Sequence, residues 1–306
     1  MKIGFIGAGK VGFSLGKYFK EKGISVSGYY SRNQRSSAEA AKFTQTKSYD
    51  TIADVLQNSD TVFVTTSDSA IAEIWDQMKN LNVKNKNICH CSGSISSTVF
   101  FNGEKLGAHI YSIHPLYAIN DKFNSWKNLS EAHFTIEGTN TPKENLENPM
   151  DQILQIFQKT GNKTTIISKD HKALYHCAAA TASNLAIAVF KTAVDMLTAC
   201  GFTEADATVA LLPLYSGNCS NMETAIKNGQ PLEAALTGPI ERGDVATVKK
   251  HIDALANCQS SPTGENACQE NPLVTLYKIL SEKLVELGRA KDPEKDYSNI
   301  EEVLQR

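Results

Sequence analysis

The stretch Met1–Gly12, MKIGFIGAGKVG, decides the fold. A short apolar run, Ile3 to Ile6, leads without a break into Gly7-x-Gly9-x-x-Gly12. A helical pattern follows at once, with Val11, Leu15, Tyr18 and Phe19 at roughly helical spacing. Strand, glycine turn and helix in this order open a dinucleotide-binding unit. Gly7 permits the tight turn, Gly9 lets the backbone approach a pyrophosphate, and Gly12 lets the helix pack closely on the strand. The helix N-terminus offers unpaired N–H groups and a positive dipole end to the phosphates. Gly7, Ala8, Gly9, Lys10, Val11 and Gly12 are therefore assigned to the cofactor.

The next strand is Ser25–Tyr30, and it ends in Ser31-Arg32-Asn33, followed by Arg35, Ser36 and Ser37. A site that prefers NAD carries an acid about 20 residues past the glycine loop, where it bonds the ribose 2′-OH. No acid occurs between Ile24 and Ala38. A guanidinium flanked by hydroxyls suits a 2′-phosphate, so Ser31 and Arg32 point to NADP(H). Short helices are expected at Ala38–Phe43 and Tyr49–Gln57. A strand at Thr61–Thr65 runs on through Thr66 and Ser67, which should lie by the cofactor, because open α/β sheets bind ligands beyond the carboxyl ends of their strands. Asp68 reads equally as a cap for a helix over Ala70–Lys79.

Further strands are expected at Asn87–Cys91, Ala108–Ile113, Phe134–Gly138 and Thr164–Ser168, with a helix at Pro149–Thr160. Strand alternation sends Cys89 and Cys91 to one face and His90 to the other, so Cys89-His90-Cys91 is not a metal site. Ser92-Gly93 is a small polar turn at a strand end. His114, stiffened by Pro115, closes another strand as a site residue or a structural imidazole. Thr139–Asn148 reads as a polar surface loop.

The chain has 306 residues, enough for two domains. It is 41% hydrophobic and 21% charged, with 31 basic and 33 acidic side chains and a net charge of −2. Nothing there suggests a nucleic acid or an anionic membrane as partner. No uninterrupted apolar run reaches membrane-spanning length, and Met1 reads straight into a strand without a leader pattern. The seven cysteines are odd in number and form no CxxC, which is the usage of reduced thiols in the cytoplasm.

From Lys169 the strand signal stops. The expected architecture is α/β: a doubly wound dinucleotide-binding domain over 1–168, then an all-α domain over 169–306 that binds substrate and dimerises. A helix should run from about Lys169 to Cys200 with Gly201 as its stop, and an apolar middle, Ala178–Phe190, implies a buried central helix. Lys172 and His176 share one face of it at i and i+4. Hydride delivery to a C=O leaves negative charge on oxygen, and Lys172 or His176 can neutralise it. Asn184 lies about 120° from Lys172 around the helix, taking about 100° per residue. Helices are further expected at Thr203–Leu212 and Asn221–Asn228, broken at Pro213 and Gly229. In Thr237–Asp244 a glycine, a proline and Arg242 precede a helix capped by Asp244, a loop able to hold a substrate carboxylate on Arg242. Gln259–Asn271 reads as a polar loop in which Cys258 and Cys268 could approach, Pro272–Leu287 as an amphipathic helix, and Asp292–Arg306 as a polar, frayed end.

The N-terminal IGFIGAGKVG and the long helix of the second half resemble the 6-phosphogluconate dehydrogenase-like superfamily. That group includes hydroxyacid dehydrogenases, ketopantoate reductases and pyrroline-5-carboxylate reductases. HCSGS (90–94), SIHPL (112–116), KALYHCAAATASN (172–184) and GPIERGD (238–244) resemble Rossmann-like oxidoreductases whose helical half bears a domain-of-unknown-function label. One branch of these is similar to an alternative ketopantoate reductase. The resemblance implies an NADP(H)-dependent reductase of a small 2-oxo acid, 2-dehydropantoate first, serving pantothenate and coenzyme A synthesis. Lys172 matches the superfamily's catalytic lysine, and His176 stands where an asparagine is expected. Ser92, His114, Asn184 and Arg242 are the candidates for substrate binding. The later-helix glutamate of typical ketopantoate reductases has no clear match, Glu241 being the candidate substitute. The resemblance also implies a homodimer. Two alternatives are an imine reductase of the pyrroline-5-carboxylate type and a non-catalytic NADP(H)-binding sensor.

Overall fold

The computed structural model of the chain describes residues 1–140, 148–258 and 271–306. Most of the two expected polar loops, Thr139–Asn148 and Gln259–Asn271, and Cys268 with them, lie outside the described residues. The chain divides into two compact units, Met1–Ala182 and Ser183–Arg306. The sheet does end before Ser168, but the first helical turns beyond it belong to the first unit.

The first unit runs β1 (Lys2–Ile6), α1 (Lys10–Glu21), β2 (Ser25–Tyr30), α2 (Gln34–Thr44), β3 (Lys47–Ser48), α3 (Ile52–Gln57) and β4 (Thr61–Val64). It continues with α4 (Asp68–Met78), β5 (Asn87–His90), β6 (His109–Leu116), β7 (His133–Gly138), α5 (Pro149–Thr160), β8 (Thr164–Ile166) and α6 (Lys172–Ala180). The eight strands form one sheet in the order β3-β2-β1-β4-β5-β6-β7-β8. β3 to β6 are mutually parallel, β7 is antiparallel to β6, and β8 is parallel to β7. This is the doubly wound sheet that the opening stretch implies.

Alternation along β1 builds both faces. Ile3 and Phe5 join Phe13, Leu15 and Phe19 of α1 in one core cluster, whereas Ile6 joins Val55, Ile71 and Trp75 in another. Phe5 stacks on Tyr29 and Phe63 with ring centroids 5.1 and 5.7 Å apart. The expected helix at Tyr49–Gln57 starts later, at Ile52, because Thr51 and Asp54 close a capping box there. The helix at Ala38–Phe43 starts earlier, at Gln34, capped by Asn33.

The second unit is all helical among its described residues. α6 passes through a π turn, Thr181–Leu185, into α7 (Ala186–Ala199), and the division between units falls inside that turn. α8 (Glu204–Lys227), α9 (Pro239–Arg242), α10 (Val245–Ala256), α11 (Pro272–Lys291) and α12 (Ser298–Gln305) follow. Its core cluster gathers Ile240, Val248, Val285, Tyr297, Ile300, Val303 and Leu304.

Three expectations need correction. Pro213 does not break its helix: α8 runs straight through it. Proline removes one N–H, and the carbonyl it deprives, on Val209, belongs to a residue 72% exposed, where water serves. The C-terminal stretch is not frayed, because Tyr297, Ile300, Val303 and Leu304 are buried there. The helix from Lys172 is not a covered central helix within the chain: Val194 is the buried residue of α7, and Leu185, Ile187 and Val189 are exposed. Lys169–Ala199 is also long and apolar enough to cross a membrane by length and composition, although no single apolar run is. Lys172 near one end is buried against the sheet, and Lys191 near the other pairs with Asp195 and Glu204.

Candidate active site

The glycine turn shapes a cleft of about 440 Å³ beyond the carboxyl ends of β1, β2 and β4. Gly7 sits at φ +108°, and a Cβ there would come within 2.7 Å of the Thr65 carbonyl group. At Gly12 a Cβ would meet Thr65 Oγ1 at 2.3 Å and the Gly7 carbonyl oxygen at 2.7 Å. Both positions exclude a side chain for packing reasons. Gly9 differs: it precedes α1, and the nearest atom to an added Cβ is the Thr65 carbonyl oxygen at 4.0 Å. The space it leaves belongs to the cleft. The first bond within α1 runs from the Phe13 N–H to the Gly9 carbonyl, so the N–H groups of Lys10, Val11 and Gly12 have no partner inside the helix.

Gly7, Ala8, Gly9, Ser31, Arg32, Thr66 and Ser67 all line this cleft. The side chains of Lys10 and Val11 do not, and Gly12 lies beneath it against Thr65. Ser36 lines it too, from the first turn of α2. So does one acid, Glu73 of α4, which no spacing rule singled out. Thr66 Oγ1 is buried without a hydrogen-bond partner, an orphan that a ligand in the cleft can satisfy. Backbone donors, an orphan hydroxyl and a guanidinium among serines fit a phosphorylated dinucleotide.

A second constellation lies at the carboxyl ends of β5 and β6. Asp68 follows the cleft residue Ser67 directly and accepts hydrogen bonds from Ser92 Oγ at 2.7 Å and Ser94 Oγ at 3.3 Å. It is the first residue of α4 and makes no side-chain cap; Ser67 is the N-cap. The loop after β5 is held from below by Glu137 of β7, which accepts from the Ser97 N–H and the Ser96 and Ser97 hydroxyls.

Lys172 opens α6 and is only 2% exposed. Its ammonium donates to the Ser112 hydroxyl at 2.8 Å and the Ser92 carbonyl at 3.2 Å. Both acceptors are neutral. Burial accordingly lowers its pKa, opposed by Glu137, Cys91 and Asp68. A third N–H remains for a substrate atom. Solvent is excluded because α6 lies its first turn on the sheet, which helical spacing alone does not reveal.

Three imidazoles surround this lysine. His114, near the end of β6, shares a 2.7 Å hydrogen bond between Nδ1 and the Tyr175 hydroxyl, and its ring stands 84° to that of Tyr175. Burial first, then Lys172 and His176, lower its pKa to about 4, so it is neutral at pH 7. Burial raises the pKa of Tyr175. His176, exposed, lies with its ring 6.3 Å from that of His114. A Cβ on Gly93 would come 2.7 Å from His176 Nδ1 and 3.0 Å from His114 Nε2. His90 faces away from Cys89 and Cys91, as alternation requires; it accepts from the Ser92 N–H and packs edge-on against Phe100. Among the described residues no three His, Cys, Asp or Glu side chains form a metal-binding group.

Lys172, His176, Ser92 and His114 thus come together in the first unit. Tyr175, Asp68 and Glu137 join them, and no spacing or motif distinguishes Tyr175 from the other aromatic residues. Asn184 and Arg242 lie in the second unit. Asn184 sits in the π turn and accepts from the Ser183 hydroxyl. Arg242 ends α9 in an exposed position, and Asp244 caps α10 through the Thr247 N–H as expected. Glu241 pairs with Lys291 at 3.3 Å.

The fold has many solved counterparts. A Thermotoga maritima protein is 22% identical, with a TM-score of 0.71 over 94% of this chain and 99% of its own. A Plasmodium falciparum pyrroline carboxylate reductase, solved with NADP bound, is 14% identical, with a TM-score of 0.55 over 94% of this chain and 99% of its own. A Streptomyces aurantiacus imine reductase is 15% identical, with a TM-score of 0.59 over the full length of both. These likenesses establish a shared fold. No curated protein matches the sequence. Residues 2–88 match the model described as NADP oxidoreductase, coenzyme F420-dependent. Residues 132–284, half of the chain, match the model described as a domain of unknown function, DUF2520, and the chain belongs to that family.

Proposed function

We propose that the protein is a cytoplasmic NADP(H)-dependent reductase that converts a C=N bond of a small molecule to an amine. One observation carries the assignment of a reductase. A buried lysine, bonded only to neutral oxygens, stands beside a serine-rich loop that Asp68 ties to the dinucleotide cleft. The likeness of fold to pyrroline carboxylate and imine reductases supports C=N as the bond reduced. The N-terminal match to an NADP oxidoreductase model supports the cofactor.

The glycine turn would hold the pyrophosphate, Thr66 and Ser67 the neighbouring ribose, and Ser31, Arg32 and Ser36 the 2′-phosphate. When bound, the reduced dinucleotide supplies a hydride. The work of this chain's residues is orientation and charge. Lys172 offers its free N–H to the substrate heteroatom and stabilises negative charge that builds there. Ser112 and the Ser92 carbonyl fix the ammonium in place. Ser92 and Ser94 in turn are held by Asp68.

A second reading, reduction of a 2-oxo acid such as 2-dehydropantoate, is favoured by Lys172 itself, since a buried cation suits a developing alkoxide. The test follows NADPH oxidation with cyclic imines, pyrroline-5-carboxylate, ketopantoate and other 2-oxo acids. The C=N reading expects the imines to turn over first, with Lys172→Met at least about a hundredfold slower and still folded. Turnover of 2-oxo acids alone selects the second reading. NADPH binding with no turnover of any compound supports the sensor instead.

The exposed apolar side chains of α7 and α8 support a homodimer, in which a second copy covers them.

A further inference from the structure

Resting on the reductase reading, we propose that the substrate enters as the neutral imine and that the Tyr175 hydroxyl delivers the proton to its nitrogen, with His114 resupplying Tyr175. A preformed iminium would have to enter beside the ammonium of Lys172, which is buried and paired with no carboxylate. Like charges at short range in a water-poor site disfavour that cation. A neutral C=N meets no such penalty, and it needs a proton donor.

Tyr175 is placed for this. Lys172 Nζ lies 5.4 Å from its ring centroid, so a phenolate formed there has a cation beside it. His114 Nδ1 lies 2.7 Å from its oxygen. With the proton on Nδ1, His114 donates to the tyrosine oxygen, which leaves the hydroxyl hydrogen to be shared between Thr135 and the substrate. As hydride reaches the carbon, the C=N π pair becomes the new N–H bond and the Tyr175 O–H bond breaks. Nε2 of His114 takes a proton from solvent as Nδ1 passes its own to the phenolate, so the ring stays neutral throughout. Nε2 packs against Gly93 together with Nδ1 of the exposed His176, so tightly that an added Cβ would come 3.0 Å from the one and 2.7 Å from the other. The charged and titratable groups around the pair are Lys172 and His176 on α6, Glu137 on β7, Asp68 on α4, and Cys91 and His90 at the end of β5.

The experiment compares a neutral cyclic imine with its N-methyl iminium salt, which needs no proton. Tyr175→Phe should slow reduction of the neutral imine by about a hundredfold or more and that of the salt by less than about threefold. Gly93→Ala, which crowds His114 Nε2 and His176 Nδ1, should show the same asymmetry. NADPH binding by both variants, read from nucleotide fluorescence, should match the wild type. In histidine-labelled protein, NMR should show the His114 Nδ1 resonance move in Tyr175→Phe. Equal losses on both substrates make Tyr175 a packing residue and overturn the proposal. So does an unchanged rate on the neutral imine. A wild type inert toward both compounds while still binding NADPH refutes the reductase reading, and this assignment falls with it.

Discussion

His90 is fully buried in β5, and burial lowers its pKa to about 4. In the unfolded chain an imidazole titrates near 6.5. Between these values the unfolded state binds the proton and the native state does not, so stability falls as pH falls. The contribution is complete above about pH 6.5 and is lost by about pH 4, a span worth on the order of 2–3 kcal/mol. His90→Asn keeps an acceptor for the Ser92 N–H and cannot titrate. Urea midpoints should therefore show the variant less stable at pH 7, with the gap closing by pH 4.5. A gap that stays constant would mean that His90 binds its proton equally in the native and unfolded chain.

At the scale of elements, two glycines of the opening turn are fixed by packing and the third is not. Gly7 and Gly12 have no room for a Cβ against Thr65, whereas Gly9 faces open cleft. β2 then ends in Ser31 and Arg32, which line the same cleft. Arg32→Ala should raise the KM for NADPH about tenfold or more and leave that for NADH nearly unchanged, because a charge-assisted bond to phosphate is worth about 1.5–3 kcal/mol. Equal KM changes for both nucleotides would remove Arg32 from the 2′-phosphate. α6 shows the other kind of placement. One turn of helix puts Lys172 into the sheet's carboxyl edge, Tyr175 beside His114, and His176 at the solvent side.

At the scale of the molecule, the second unit carries an apolar surface that it does not bury itself. Ile187 on α7 is 68% exposed, and Val209, Leu212, Leu214 and Ile226 on α8 are exposed as well. Soluble monomers seldom leave so much apolar surface open. Light scattering at micromolar concentration should give twice the 33.4 kDa chain mass, and Ile187→Glu with Leu214→Glu should shift it to one. A monomeric wild type would leave the surface for a membrane or another protein.

The β1–α1 turn, the doubly wound sheet it implies and the NADP-like end of β2 were legible because each rests on local geometry. A tight turn needs glycine, a strand alternates, and a missing acid is visible in a string. Lys172 and His176 were legible as one helix face for the same reason. Whether that face met the sheet or the solvent was not legible, because burial depends on which strands end beneath it. His114 came within reach of Tyr175, and Ser92 and Ser112 of Lys172, through contacts spanning roughly 60 to 80 residues of chain. Pro213 and Asp292–Arg306 misled for a related reason. A helix can continue past a proline where the carbonyl left without a donor belongs to an exposed residue, and a polar tail frays only where its few apolar side chains find no core. The amino-acid sequence by itself determined the doubly wound sheet and the glycine turn at its carboxyl edge. The tertiary structure alone decided which side chains share the reacting space, because pairing across the sheet follows from packing and leaves no period in the chain.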